Sequence, residues 1–479
     1  MHGLGGLQSQ IYQLVKTFAD SAPFAPAMAS STPINHDLKS FFRLAIINVL
    51  ANLMVPLAGL FDVAFLGHLD QLWYLAGVAL ATVLFNYLYW TFGFLRMGTT
   101  GMTAQALGRN DSDAMLLVGL RNGVVAVGLG LGILLLQWPI KALGFSLLSA
   151  MPAVKAAGMD YFDALIWGAP ATLLNFVVVG WYLGRAQSRK VLLLSGVNNF
   201  TNVGFNYLFI VQWGWQSTGA GAATALSQYL MLGVGLALIG RDISWPQLQT
   251  VWPQVLQGTA LRQTLTFNRD ILVRTFALIS TFAVFTNLSS DLGTDVLSTN
   301  TLLLQVVTLA SYFIDGIAFA MESVTGVLSQ QNQPQRLRQL LTLSGFTSVG
   351  LGVGFALAFY LFPQPLFSLL THHPEVLAQV NQYVVWLLPV LGFGAIAYLL
   401  DGYFLGLTAG QHLRHSVLIA TLFGFLPLAI ASWYWQQVHL LWLALALFMG
   451  SRAIVMVIQV PRSLKRAHGT PVVHSGQKG

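Results

Sequence analysis

The chain has 479 residues, of which 55% are hydrophobic and only 8% charged, and its mean hydropathy is +0.67. A soluble domain carries about 25% charged residues, so these charges are too few to solvate a soluble surface, and lipid is the natural solvent. The net charge of +7 does not indicate nucleic acid, because Lys and Arg fall in short loops between apolar runs, and the absence of Cys excludes disulfides, thiol metal sites and thiol nucleophiles.

Residues 1–40 carry a short amphipathic stripe of Leu7, Ile11, Leu14 and Phe18 but no continuous apolar core of a signal peptide, and are expected to form a cytoplasmic tail. Apolar runs able to cross about 30 Å of hydrocarbon follow. In a first half, 41–240, they are 41–67, 75–107, 116–138, 158–184, 190–212 and 218–240. The stretch 241–270 holds Pro246 and Pro253 and reads as an inter-lobe linker. In a second half, 271–461, the runs are 271–291, 297–328, 338–362, 380–407, 413–437 and 440–461, and 462–479 forms a basic tail. The fold class is therefore an all-α polytopic membrane protein of about twelve transmembrane helices in two six-helix lobes.

One set of loops holds Arg109, Arg121, Arg185, Arg189, Lys190, Arg241, Arg262, Arg269, Arg336, Arg338 and Arg414, whereas the opposite loops offer only Lys141 and Lys155. The asymmetry predicts both termini cytoplasmic and an even number of spans. Trp73, Trp138, Trp213, Trp215, Trp433, Trp435 and Trp442 then fall at the outer interface as an aromatic belt. The halves repeat: Gly-Trp-Tyr-Leu-Gly at 180–184 returns at 402–406, an offset of 222. Tyr87, Thr100, Gly101 and Gln105 return as Tyr312, Thr325, Gly326 and Gln330, an offset of 225. Parallel repeats place a pseudo-two-fold axis along the membrane normal and a site between the lobes.

Ionisable residues inside spans are costly and mark cavities or partners; here they are Asp62, Arg96, Asp315, Glu322, Asp401 and Arg452. Asp62 follows Pro56, which removes a backbone donor and can kink the first span. The fifth span stacks Asn198, Asn202 and Asn206 at four-residue spacing, and the fourth carries Asn175. A carboxylate with amides suits a proton or a small cation, since amides can serve either protonation state or lend oxygens to Na⁺. The alternative is that the amides join helices by hydrogen bonds. Asp315 and Glu322 share one face of the eighth span, and Asp401 lies near the inner end of the tenth, where pairing with Arg274 is the structural alternative. Arg96 and Arg452 lie near span ends and can snorkel. His372 and His373 read as a solvated loop rather than a metal site. No P-loop, nucleophile elbow, zinc-protease helix or dinucleotide fingerprint is present, so the chain is not expected to be an enzyme.

The run Pro56-Leu-Ala-Gly-Leu-Phe-Asp62-Val-Ala-Phe-Leu-Gly67-His-Leu69 resembles the first helix of multidrug and toxic compound extrusion (MATE) transporters. The segments 93–101, 104–108, 268–274, 315–322 and 400–406 are similar to the DinF-type branch. The resemblance covers about 41–461 and implies a V-shaped pair of lobes. It also implies export of amphipathic or cationic organic compounds in exchange for H⁺ or Na⁺, from a bacterial inner membrane, as a monomer and without a cofactor. Its first-helix acid corresponds to Asp62, its fourth-helix amide to Asn175 and its fifth-helix Asn to Asn202. Asp62 with Asn175, Asn202 and Asn206 is then read as the ion-coupling group, and Asp315, Glu322 and Asp401 as auxiliary proton or substrate groups. The sequence departs from the family where Asn206 replaces the usual acid of the fifth helix, which favours H⁺ over Na⁺. Rival readings are a lipid-linked oligosaccharide flippase of the same superfamily, a membrane-embedded enzyme, or a scaffold without transport.

Overall fold

The computed structural model describes residues 38–69, 71–148, 150–369 and 374–467. The Leu7–Phe18 stripe, His372 and His373 lie outside the described residues. Among the described residues every regular element is helical. Among the described residues eleven helices are long and apolar enough to cross a membrane. In the first half they are Leu38–Gly67, Leu72–Gly108, Ser112–Leu135, Pro152–Gly184 and Gln216–Asp242, which are the first to fourth and the sixth spans. In the second half they are Gly258–Asp291, Thr294–Gln330, Pro334–Leu361, Glu375–Gly406, Gly410–Trp435 and Val438–Leu464, the seventh to twelfth. The expected fifth span is Ser188–Asn206, continued by the π-helical turn Tyr207–Gln212. It is less apolar than the others because Ser195, Asn198, Asn199, Thr201, Asn202 and Asn206 interrupt it, yet it packs between the first and sixth spans.

Local sequence sets the ends and breaks. Asp111 caps the third span by accepting from the Ala114 amide at 2.8 Å. Pro170 can donate no backbone hydrogen bond, and the fourth span passes through a 3₁₀ turn, Ile166–Gly168, just before it. The seventh helix begins at Gly258, well before the expected 271, so only 243–257 connects the halves. Within that connection the short helix Trp245–Val251 is held to the third span, where Arg121 donates to the Gln254 and Val255 carbonyls at 2.9 and 3.2 Å.

The repeat returns in the backbone at an offset of 222. Left-handed residues recur at Asn110 and Asn332, at Ala186 and Thr408, and at Gly214 and Gln436. A Cβ on Gly184 would meet the Thr100 carbonyl, Thr103 and Ala104, whereas on Gly406 it would meet the Glu322 carbonyl, Thr325 and Gly326. Thr100 therefore corresponds to Glu322 and Ala104 to Gly326, and the 225 offset is corrected. A slip of three residues is most of a helical turn and leaves a residue on nearly the same face, which is why the sequence matches tolerated it.

The aromatic belt also needs one correction. Trp73, Trp138, Trp213, Trp215, Trp433 and Trp435 are exposed, but Trp442 is fully buried and donates its indole N–H to Asn300 at 2.9 Å. A buried indole needs a partner, and Asn300 supplies it.

The lobes meet in the halves of the spans that carry the basic loops. The first span lies on the eighth, where Asn52 donates to the Tyr312 carbonyl at 3.4 Å. The segment Phe94–Gly108 lies on the eighth and tenth, with Ala104 against Gly326. Gln105 donates to the Gly406 carbonyl at 3.1 Å and to Thr408 at 3.0 Å, Asn268 donates to Asn122 at 2.9 Å, and Ser323 donates to the Leu183 carbonyl at 2.6 Å. Among the described residues, no side-chain hydrogen bond joins the lobes beyond the level of Asn52 and Tyr312.

Candidate functional site

The first lobe gathers its polar residues around Asp62. The fifth span turns Asn202 and Asn206 inward, and both are buried, while Asp62 is half-buried. The Asn206 amide donates to Asp62 Oδ1 at 2.5 Å and to Asn202 Oδ1 at 3.1 Å, and the Asn202 amide donates to Thr224 Oγ1 at 3.1 Å. An ordered path of hydrogen bonds thus runs from the carboxylate on the first span, through the fifth, to the sixth. Pro56 lies inside the first helix, six residues before the carboxylate, where it leaves the Asn52 carbonyl without its usual helical donor.

Asn175 does not join that chain. Its amide donates to Gln228, at 2.9 Å to Oε1 and 2.8 Å to the backbone carbonyl. The buried oxygens Asn175 Oδ1 and Asn206 Oδ1 accept no protein hydrogen bond. These are neutral oxygen donors in the same lobe as the carboxylate, the kind a small cation or a protonated carboxyl can use. Asn198 is half-buried, whereas its neighbour Asn199 is buried and donates to the Met54 carbonyl at 2.8 Å. Thr224, Gln228 and Asn199 were not anticipated. Their signal in the sequence is a polar side chain inside an apolar run, shared with many residues that do nothing comparable.

The second lobe is built differently. Asp401 sits between two guanidinium groups: Arg452 Nη2 is 2.6 Å from its Oδ2, and Arg274 donates to the same oxygen. All three are buried, and Arg452 is fully so. Arg452 therefore does not snorkel; Tyr398 and Phe448 flank its guanidinium at 5.6 and 5.5 Å. Arg96 does not snorkel either. It reaches from the second span into the other lobe, 3.7 Å from Glu322, with its guanidinium 4.0 Å over the Phe319 ring. Glu322 is fully buried, and neither carboxylate oxygen has a hydrogen bond. Asp315 is half-buried on the same helix. Three acids, Asp315, Glu322 and Asp401, thus face three arginines, Arg96, Arg274 and Arg452, whereas the first lobe sets one acid among amides.

The repeat sharpens that contrast. At the 222 offset, Asp62 corresponds to Val284, Asn175 to Ala397 and Asn202 to Gly424, while Asp401 corresponds to Val179 and Arg452 to Leu230. The backbone is duplicated but its polar chemistry is not.

Comparisons with known proteins agree with the duplication. The family model MatE matches twice, at residues 48–208 and 271–435. The chain is 32% identical over 423 residues to DNA damage-inducible protein F of Escherichia coli K12, covering 87% of this chain and 90% of that one. It is 21% identical over 345 residues to "Probable multidrug resistance protein NorM" of Thermotoga maritima, covering 71% and 73%. Among solved structures, an outward-facing multidrug resistance MATE transporter of the MOP superfamily superposes with a TM-score of 0.81 at 17% identity, covering 90% of this chain and 97% of that one. A MATE transporter in the bent conformation gives 0.79 at 19% identity, with the same coverage.

Proposed function

This chain belongs to the MatE family of multidrug and toxic compound efflux transporters, and from that premise we propose that it is a secondary antiporter coupled through Asp62. Its relatives are transporters, and the chain is not an enzyme. In the proposed cycle, amphipathic or cationic organic compounds leave through the space between the lobes as a cation enters, by alternating access. The membrane is the bacterial inner membrane, with the basic loops and both termini on the cytoplasmic side.

The observation that carries this reading is the Asp62–Asn206–Asn202–Thr224 chain of hydrogen bonds. A titratable carboxylate with neutral partners can exchange a cation without breaking an ion pair. The same partners can accept from or donate to whichever form is present. Asn175 and its free oxygen stand beside Gln228, one turn along the sixth span from Thr224, and supply a further neutral ligand in the same lobe. Asp315 and Glu322 serve as auxiliary groups at the lobe seam, and Asp401 holds Arg274 and Arg452 in place.

The test uses purified protein in liposomes with an imposed ion gradient and a lipophilic cationic dye as cargo. Wild type moves the dye against its gradient, and Asp62→Asn does not, while inserting to the same level. Gradient-driven export by Asp62→Asn would refute the assignment.

A further inference from the structure

Two cavities open on the basic side, one on each flank of the lobe seam. The smaller, of about 450 Å³, lies between Arg43 on the first span, Gln187 to Lys190 at the start of the fifth, and Val324 and Val327 on the eighth. The larger, of about 1010 Å³, is its repeat mate: Arg262, Gly410 and Gln105 stand where the smaller has Ser40, Ser188 and Val327, at the 222 offset.

We propose that the smaller cavity binds a phosphate-bearing anion through Arg43, Arg189 and Ser188 at the start of the fifth helix. Among the described residues no acidic side chain lines it. Arg43 and Arg189 make no ion pair or hydrogen bond among the described residues and are exposed at its mouth. Lys190 is already committed to Asp242 at 2.6 Å, an acid that Arg185 shares, and is not counted. Deeper in, Ser188 is 2% exposed and its hydroxyl has no partner. A buried hydroxyl without a partner is uncommon and calls for one. Ser188 is the first residue of a helix of 19 residues whose N-cap, Gln187, makes no side-chain cap, so first-turn N–H groups face the same end. Helix N–H groups, a hydroxyl and guanidinium forks together form the donor set that recognises phosphate.

The repeat mate does not share that set. It has Gly410 in place of Ser188 and includes Asp270 among its walls. The smaller cavity, moreover, has walls from both lobes, because Ser323, Val324, Val327 and Leu340 belong to the second. An anion held there favours the arrangement in which the basic halves of the lobes stay together. The proposal is independent of Asp62 and of which ion is coupled.

The phosphate could belong to a lipid headgroup or to a soluble species, and two probes separate them. The full chain in phosphatidylcholine nanodiscs is titrated with phosphatidylglycerol, and separately with inorganic pyrophosphate at fixed ionic strength, with the thermal midpoint as readout. Wild type is expected to gain stability with at least one probe, and Arg43→Gln with Arg189→Gln should need on the order of tenfold more of it. Ser188→Ala should weaken the response less, and Arg262→Gln in the mate cavity should leave it unchanged. A response to phosphatidylglycerol alone assigns a lipid headgroup, and a response to pyrophosphate assigns a soluble phosphate. Should the double variant fold poorly, Arg189→Gln alone decides, since that exposed side chain makes no ion pair or hydrogen bond among the described residues. Identical titrations for wild type and Arg189→Gln, or no response to either probe, overturn the proposal.

Discussion

Asp62 and Asp401 are both membrane-embedded acids, but their partners give them different work. The Asn206 amide that donates to Asp62 is neutral, so losing or gaining a charge at Asp62 strands no counter-ion. Asp401 is the shared partner of two buried guanidinium groups, so removing its charge strands both. Asp62→Asn should therefore keep the fold and lose coupling, whereas Asn206→Ala should only slow dye export, by a few-fold to tenfold. That range matches the net worth of one typical hydrogen bond, roughly 0.5–1.5 kcal/mol or about two- to tenfold. Asp401→Asn should instead act on stability, since breaking a buried ion pair costs about 3–5 kcal/mol. Its thermal midpoint in detergent should fall well below those of wild type and Asp62→Asn; an unchanged midpoint would show that the triad does not hold the second lobe. Asp62, Asn202 and Asn206 were legible in the sequence because a carboxylate and evenly spaced amides in an apolar run need a reason to be there. Arg96 and Arg452 were misread as snorkelling because distance from a span end is visible in a sequence, while the face a side chain takes is not. The Arg274–Asp401 pairing was foreseen only as an alternative, and the structure adds Arg452 as a third member.

At the scale of elements, hydrophobic runs located the spans, and the fifth shows where that signal thins. Its amides lower its hydropathy below that of its neighbours because they are spent on the site, on the Met54 carbonyl and on Thr224. A helix that carries a site looks least like a membrane span. Span ends were less legible: the seventh helix runs on to Gly258 through a polar, basic stretch that hydropathy alone assigns to a loop. The repeat was legible as two matches, but only left-handed turn residues, which each loop must place at one position, settled the register at 222. Register has a mechanical consequence at the seam, where Gly326 faces Ala104 closely enough that an added Cβ would clash. Gly326→Val should wedge the lobes apart on the basic side. In the Cys-free background, Gln105→Cys with Thr408→Cys should be joined readily by a short bifunctional thiol reagent, since the Gln105 amide reaches Thr408 at 3.0 Å. Adding Gly326→Val should suppress that crosslink, whereas Gly132→Val, whose new Cβ meets nothing within 4 Å, should not. Equal crosslinking in both would mean the seam tolerates the wedge.

For the whole molecule, the polar clasp joining the lobes lies toward the basic loops among the described residues, and the side of the membrane it closes follows from the orientation. Thiol labelling gives the orientation: a Cys at Gln216 should react with an impermeant reagent from outside, and one at Gln187 only after permeabilisation, while the reverse pattern would invert the molecule. The coupling ion is the last question, and the contrast between lobes bears on it. A Na⁺ site gains from each negative oxygen, because the charge offsets the ion's desolvation. The first lobe offers one carboxylate, Asp62, with the neutral Asn206 amide beside it. Three arginines crowd the acids of the second lobe, and their positive charge opposes a bound metal cation there. A proton needs a single acid and no coordination shell, and the Asp62–Asn206 pair supplies it. Export into liposomes should therefore follow a pH gradient with Na⁺ absent and ignore a Na⁺ gradient at uniform pH. Asn206→Asp, which adds a second carboxylate beside Asp62, should bring in a response to Na⁺ that wild type lacks. Wild-type export driven by Na⁺ alone and indifferent to the pH gradient would show that the amides suffice as a sodium cage, and proton coupling would be abandoned.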